Sequence, residues 1–129
     1  MPFTITKMAR PSSFWQESYV RIQKGQRLVI EAEGAWSPDG KNRTVWCGAD
    51  GIPNLTGNDD FPLPGSNVGM LIAKIGGEVI AVGSRYDNPA PESGVIFLAM
   101  NENPAHNNQA GYLLAQVITF DLSFIFFCS

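Results

Sequence analysis

The chain has 129 residues and a net charge of −3, and it is 44% hydrophobic, 11% aromatic and only 16% charged. This length suits one domain. So few charged residues exclude a coiled coil or helical bundle, and so many aromatic residues exclude a disordered chain. The nine Lys and Arg residues are scattered along the chain, which excludes a nucleic-acid partner. We therefore expect a single domain over residues 1–129 rather than two smaller ones.

Short segments of alternating apolar and polar residues recur along the chain, separated by stretches that contain Gly and Pro. This pattern is typical of β-strands, whereas no longer window has the apolar spacing of a helix. In chain order the predicted strands are 3–7, 18–22, 27–33, 69–75, 78–82, 94–100 and 111–120, and Gly76-Gly77 predicts a two-residue hairpin turn between the fourth and fifth. The fold class predicted is all-β: a single-domain β-sandwich of the jelly-roll type.

Two segments do not fit as strands, and both border predicted strands. Residues 37–67 are rich in Gly, Pro, Asn and Asp, and residues 101–110 read NENPAHNNQA. Long loops in compact domains are often functional, so we expect these two segments to form a site at one end of the sandwich.

The second segment predicts a site for a hard cation. Glu102, Asn107 and Asn108 carry side-chain oxygens, and the bend at 104–105 can direct main-chain carbonyls inward. Such oxygens are the ligands that Ca²⁺ prefers, and a single carboxylate indicates a modest affinity of about 10⁻⁴–10⁻³ M. The alternative is ordinary turn chemistry, because Asn readily bonds its own backbone in turns.

The first segment contains Trp46, Asp50, Asp59 and Asp60, a combination that can hold a sugar. An aromatic face covers the apolar side of a pyranose, and carboxylates accept its hydroxyl groups. The alternative is that the tryptophans cap the core; we expect this of Trp36, and for Trp46 both interpretations stay open.

The sequence does not predict an enzyme. His106 is the only histidine, so a zinc site lacks ligands, and no nucleophile elbow of the form G-x-S-x-G is present. We expect no catalytic residues.

Other features concern location and redox state. The N-terminus lacks the apolar stretch of a signal peptide, and no run of residues is long enough to insert into a membrane. We therefore expect cytoplasmic synthesis, with release from the cell or association with its surface as a further option. Whether Cys47 and Cys128 form a disulfide is open. We expect the apolar residues 124–127 to be shielded from solvent, as an edge strand or as a buried or interface strand.

Several stretches, taken in order, resemble a known family. They are KGQRLVIEAEGAWS, VGMLIAKIGG, and LAMNENP followed by NNQAG. Together they are similar to the LecA-type galactophilic bacterial lectins. The resemblance implies a small jelly-roll β-sandwich of the galactose-binding-domain-like kind, in which Ca²⁺ at one end directly ligates two vicinal hydroxyls of galactose. The resemblance covers the chain from about Tyr19 to Phe120.

The resemblance implies a set of calcium ligands. It places Glu102, where the family has Asp, and the paired Asn107 and Asn108 as side-chain ligands. It implies backbone carbonyl ligands from Pro38 and from Pro104 or Ala105.

The resemblance also implies a sugar pocket. Asn103 and Asn107 are expected to contact the sugar. The family's His-Pro-x-Gln segment has no counterpart here, and Asp59 and Asp60 stand at about that place, beside Trp46.

These points together predict a calcium-dependent lectin for galactose-containing glycans, present as a homo-oligomer (dimer or tetramer). The alternative is a non-catalytic β-sandwich adhesion or structural module that has lost sugar binding. Binding by several subunits would raise the avidity for multivalent glycans.

Overall fold

A computed structural model describes residues 2–41 and 45–120. It contains eight β-strands, whose bounds are β1 Phe3–Ala9, β2 Gln16–Ile22, β3 Arg27–Ser37, β4 Leu71–Ile75, β5 Glu78–Ala81, β6 Arg85–Pro89, β7 Gly94–Met100 and β8 Ala110–Thr119. In these residues no helix is long and apolar enough to cross a membrane.

The strands form two antiparallel sheets with the connectivity of a jelly roll. Sheet A has the order β1-β8-β3-β6 and sheet B the order β2-β7-β4-β5. The first strand pairs with the last, the second with the seventh, the third with the sixth and the fourth with the fifth, as in a long hairpin rolled into a sandwich. The predicted jelly-roll β-sandwich is therefore confirmed.

The core lies between the two sheets and follows from the alternation of residues along each strand. On β8, Leu113, Ala115 and Val117 are fully buried, while the residues between them face outward. The same alternation supplies core residues from the other strands, and together they form one cluster that includes Leu28, Ile30, Trp36, Leu71, Ile75, Ile96, Leu98 and Met100.

Seven strands match predicted segments, with shifted ends. The predicted hairpin turn is confirmed: Gly76 and Gly77 have φ of 55° and 89°, and Ile75 pairs with Glu78 across them. The third strand extends beyond Glu33 to Ser37, and its extension carries Trp36 into the core, as expected.

Strand β6 was not predicted. Its sequence, RYDNP, has residues that disfavour strands and ends in proline. It forms nevertheless because it is the edge strand of sheet A and pairs with β3 along its whole length. A bidentate ion pair between Arg27 and Asp87, with N–O distances of 3.0 and 2.9 Å, joins the two strands.

Two expectations from the sequence fall outside the described residues. The apolar stretch at 124–127 lies there, and so does Cys128, whose pairing with Cys47 the sequence leaves open. In the described part of the chain Cys47 is a free cysteine.

Candidate functional site

The two segments without predicted strands meet at one end of the sandwich. The ladder between β3 and β8 ends with the pair Ser37 and Ala110, so the chain leaves both strands at the same place. The Gly40 amide then donates to the Asn108 carbonyl at 2.8 Å, which joins the two segments directly. The prediction that both segments lie at one end is confirmed.

Asn101 fastens a third piece of chain to this end. Its side chain is fully buried, and its Oδ1 accepts a hydrogen bond from the Leu63 amide at 3.0 Å. Its Nδ2 lies within hydrogen-bond distance of the carbonyls of Leu63, Ser66 and Asn67, at 3.0, 3.2 and 3.2 Å. One amide group thus replaces the regular pairing that this stretch lacks, as buried polar groups require.

Trp36 fixes the start of β4 at the same end. Its ring is fully buried, and its Nε1 donates to the Gly69 carbonyl at 2.7 Å. The Gly69 amide in turn donates to the Asn101 carbonyl at 2.9 Å. The connection between β3 and β4 is therefore held next to both strands by buried hydrogen bonds, and its described residues form none of the eight strands.

Glu102 is a buried acidic residue at this end. Only 2% of this residue is exposed, although carboxylates are rarely buried without a partner. Its Oε1 accepts a hydrogen bond from the Asn103 amide at 2.8 Å and lies 3.1 Å from Nδ1 of His106. Within the described part of the chain these are its side-chain contacts with polar groups, and no ion pair with Lys or Arg neutralises it.

Two further predicted calcium ligands stand in the same loop as Glu102. Asn107 and Asn108 are exposed, and their side chains make no hydrogen bond with the described residues. Of the predicted carbonyl ligands, Ala105 is an exposed residue and Pro38 a buried one. The Asn103 side chain is used locally, since its Oδ1 accepts from the Ala105 amide at 2.9 Å. The loop therefore carries exposed amide side chains and one buried carboxylate.

The donor set is oxygen-rich and poor in charge. In residues 2–41 and 45–120, no three side chains of His, Cys, Asp or Glu come together in a way that could hold a metal. A cation at this end would be held by Glu102, by the amides of Asn107 and Asn108, and by carbonyls such as those of Pro38 and Ala105. These are hard donors of the kind that suit Ca²⁺, not the nitrogen and sulfur donors that select zinc.

Trp46 stands at the edge of this end with 42% of its surface exposed. Its ring lies against Gly111: a Cβ built on Gly111 would be 2.7 Å from Cζ3 of Trp46. Glycine is required there for a second reason, because its φ is +83°. The ring is thus seated on backbone at the start of β8 and keeps a large part of its surface in solvent.

The acidic residues of the long segment have different surroundings. Asp50 supports the fold, because its carboxylate accepts hydrogen bonds from the amide and hydroxyl of Ser84 at 2.7 and 3.2 Å. Asp59 and Asp60 are exposed on a turn, and Asp60 donates its amide to Oδ1 of Asn58 at 3.0 Å. In the described residues no hydrogen bond links either acid to Glu102 or to the paired asparagines.

Cys47 packs beneath the same end, where it forms an isolated bridge with Trp36. Burial raises the pKa of its thiol to about 11, because the thiolate would lose its hydration there. The side chain is therefore a small apolar group in the packing, with little thiolate at neutral pH.

A shallow cavity of about 360 Å³ lies elsewhere, on the outer face of sheet A. It is a depression in an open sheet, and the groups of the candidate site do not line it. Its lining consists of Thr6, Glu31, Ala32, Glu33, Ser84, Leu114 and Gln116.

Comparison with solved structures gives a clear neighbour. The N-terminal domain of EclA, described as a PllA-like lectin, matches with a TM-score of 0.71 and covers 89% of this chain and 95% of its own, at 16% identity. The chain has a lectin-like fold. No protein-family model matches the chain, and no curated protein matches it either.

Two important residues of this end escaped the sequence interpretation. Asn101 was grouped with the other asparagines of its segment, yet it is the buried one and serves the packing of the loop. Gly40 was one of many glycines, yet a Cβ on it would collide with Cβ of Ala110. The signal for Asn101 was its place directly after an apolar strand, where the chain is still buried; for Gly40 the sequence holds no signal.

Proposed function

We propose that the protein is a calcium-dependent lectin that binds galactosides at the end of the sandwich where Glu102 lies. The observation that carries this proposal is a carboxylate only 2% exposed, without a Lys or Arg partner in the described residues, in the same loop as two asparagines whose side chains make no hydrogen bond there. A buried carboxylate costs free energy unless hydrogen bonds or a counter-charge compensate it, and in the described residues Asn103 and His106 engage only its Oε1. A bound cation supplies that counter-charge.

The proposed ligand set is that of a hard-cation site. Glu102, Asn107 and Asn108 contribute side-chain oxygens, and Pro38 and Ala105 contribute carbonyl oxygens. When bound, Ca²⁺ supplies positions at which two vicinal hydroxyls of a sugar replace two waters, an exchange of oxygen for oxygen.

The sugar's orientation depends on the protein's own groups. The amide of Asn107 can hydrogen-bond a hydroxyl that also faces the cation, and Asn103 lies beside it. Asp59 and Asp60, on their exposed turn, would accept hydroxyl hydrogen bonds, and Trp46 would cover an apolar face. None of these groups is arranged as a nucleophile or as an acid–base pair, so we propose binding without catalysis.

The partners and setting follow from this function. We propose galactose-containing glycans as ligands and a homo-oligomer as the active form, because single-sugar affinity is weak and several sites raise avidity. A lectin of this kind acts on glycans outside the cell or at its surface, so release from the cell is part of the proposal.

Isothermal titration calorimetry with methyl galactoside tests the proposal. We expect binding heat with calcium present and its complete loss in EDTA. The variant Glu102→Gln keeps the side chain's shape but removes its charge, and it should lose binding; Glu78→Gln, on the exposed hairpin at the other end, is the matched control and should bind normally. Binding that survives EDTA, or that survives Glu102→Gln, contradicts the mechanism.

A second function is favoured by one observation. Nδ1 of His106 lies 3.1 Å from Oε1 of Glu102, so the carboxylate has a hydrogen-bonding partner without a metal. A non-catalytic adhesion or structural module that keeps the fold but has lost sugar binding would use the pair in this way. A glycan array in the presence of calcium separates the two functions, because the module gives no signal on any glycan.

A further inference from the structure

Strand β1 is an edge of sheet A at which a further strand can pair. Its register with β8 runs without a shift from Phe3 opposite Thr119 to Ala9 opposite Leu113. From Thr4 to Ala9, the described residues pair with this strand on the β8 side alone. The strand contains no proline, and three successive residues of it are β-branched. A regular edge of seven residues is a template for pairing with another chain.

Each of the other three edges of the two described sheets is obstructed. Strand β2 has a β-bulge between Glu17 and Arg21, where Tyr19 has a φ of 63°. The buried hydroxyl of Ser18 fixes this bulge by donating to a β7 carbonyl at 2.6 Å. Strand β5 has only four residues, and strand β6 has five residues and ends in Pro89. Bulges, short length and proline are the devices by which sheets avoid pairing at their edges, so β1 stands apart.

A second copy of this chain fits the β1 edge because the strand is complementary to itself. Residues directly opposite each other share a face of the sheet, so a two-fold axis between antiparallel copies passes through a residue. An axis through Lys7 places two like charges directly opposite each other, which is unfavourable. An axis through Ile5 leaves two residues of each strand unpaired. An axis through Thr6 pairs all seven residues and puts Lys7 opposite Ile5 of the other copy.

Exposed apolar side chains beside this edge favour the same partner. Met8 is 46% exposed and Leu114 is 39% exposed, and the two are directly opposite each other across β1 and β8. With the axis at Thr6, Met8 stands opposite Thr4 of the second copy. Pairing of the two copies therefore covers part of an apolar surface that one copy leaves in solvent.

We propose that two copies of the chain associate by antiparallel pairing of their β1 strands about a two-fold axis at Thr6. This inference rests on the homo-oligomer of the proposed function and names its interface. Ala9 lies toward the end of the sandwich at which Ser37 pairs with Ala110. Because the two β1 strands run in opposite directions, the two ends that carry Glu102 point away from each other. The dimer thus presents its two sites to separate surfaces.

Added cysteines test the position of the axis. In a Cys128→Ser chain, Thr6→Cys puts two thiols directly opposite each other, with a Cα separation of about 5 Å that a disulfide can span. Thr4→Cys is the matched control, because Thr4 is also exposed and on the same face. Its Cα lies about 14 Å from its own copy, beyond the limit of about 7 Å. We expect mild oxidation to produce a covalent dimer of Thr6→Cys alone on a non-reducing gel.

Charges at the axis provide a second test, by analytical ultracentrifugation. Thr6→Lys and Thr6→Glu each place like charges opposite each other, whereas an equal mixture of the two variants pairs opposite charges. The mixed dimer should have a dissociation constant about tenfold lower than that of either variant alone. Thr6 is exposed, so each variant should fold as the wild type does. Asn88→Lys, on the edge strand β6, is the control and should associate like the wild type.

Three outcomes overturn the interface. They are a wild-type chain that sediments as a monomer at every concentration, equal crosslinking of Thr6→Cys and Thr4→Cys, and a mixed dimer no tighter than those of the single charge variants. None of these measurements uses calcium or sugar, so such a failure leaves calcium-dependent galactoside binding in place. A chain that pairs through β1 but gives no heat with methyl galactoside and calcium keeps the interface and loses the proposed function.

Discussion

The Asn101 side chain gives the sharpest quantitative prediction of the structure. It is fully buried, with one accepted hydrogen bond from Leu63 and three carbonyls around its amide group. In Asn101→Ala the buried amide of Leu63 and these carbonyls lose their partner. At about 1 kcal/mol for each well-made bond and more for each orphaned group, the free energy of unfolding should fall by about 3 kcal/mol. For a domain of this length the melting temperature should fall by about 10 °C.

Differential scanning calorimetry and urea unfolding measure this loss. Asn88→Ala, on the exposed edge strand β6, is the matched control and should change the unfolding free energy by less than about 0.5 kcal/mol. A second readout is limited proteolysis, which should cut the variant first within residues 57–67, because Asn101 holds that stretch. A melting temperature within about 2 °C of the wild type would refute the reasoning, since the four contacts would then carry no net stability.

Three further predictions concern packing and ionisation. Gly40→Ala should weaken calcium binding about tenfold by displacing the loop of the paired asparagines. Gly48→Ala is the control and should not weaken it, because a Cβ on Gly48 has its nearest neighbour at 3.9 Å. Equal calcium affinities of the two variants by calorimetry would contradict this. The hydrogen bond from Arg27 lowers the pKa of the Asp87 carboxyl below its ordinary 3.8. The ion pair therefore stabilises the fold above pH 3.8, and this stabilisation is lost as the pH falls through the pKa of Asp87 in the folded state. The urea midpoint of Asp87→Asn should thus lie below that of the wild type at neutral pH and match it in strong acid; a gap that persists in acid rules the pair out. With Cys128 replaced by Ser, Cys47 should react with iodoacetamide far more slowly in the folded than in the urea-unfolded chain, because its pKa is raised to about 11; equal rates would show that the thiol is not shielded.

The strands with strong alternation were predictable because the order of apolar and polar residues within each strand decides which of its side chains are buried. On β8, for example, Leu113, Ala115 and Val117 stand at every second position and face the other sheet, and Leu28 and Ile30 do so on β3. Strand β6 was not predictable in this way: RYDNP is polar, lies at a sheet edge, and forms because β3 offers unpaired backbone groups. Its stability comes from a strand more than fifty residues away, which no local pattern records.

The candidate site was likewise predictable only in those features that a local stretch of sequence shows. The sequence pattern identified the two segments that meet at this end, because unusual composition is visible in a single chain; the calcium ligands assigned within them stay a prediction. It did not separate Asn101, which is buried and structural, from Asn107, which is exposed and unengaged. It also assigned Asp50 to the same group as Asp59, although only Asp50 has its carboxylate bonded by the fold. Burial of a particular amide or carboxylate depends on which loops pack over it, and that is a property of the assembled sandwich.

The pairing of β1 with β8 brings Phe3 opposite Thr119, so two strands that are far apart in sequence must meet before sheet A is complete. Contacts this distant in sequence slow folding, because the intervening chain must be ordered before they form. The loop with Glu102 precedes β8 and is anchored at its end, so its geometry exists only after that late step. In a refolding experiment the ability to capture ligand should therefore appear together with the slowest phase, and fragments that lack either terminal strand should never acquire it.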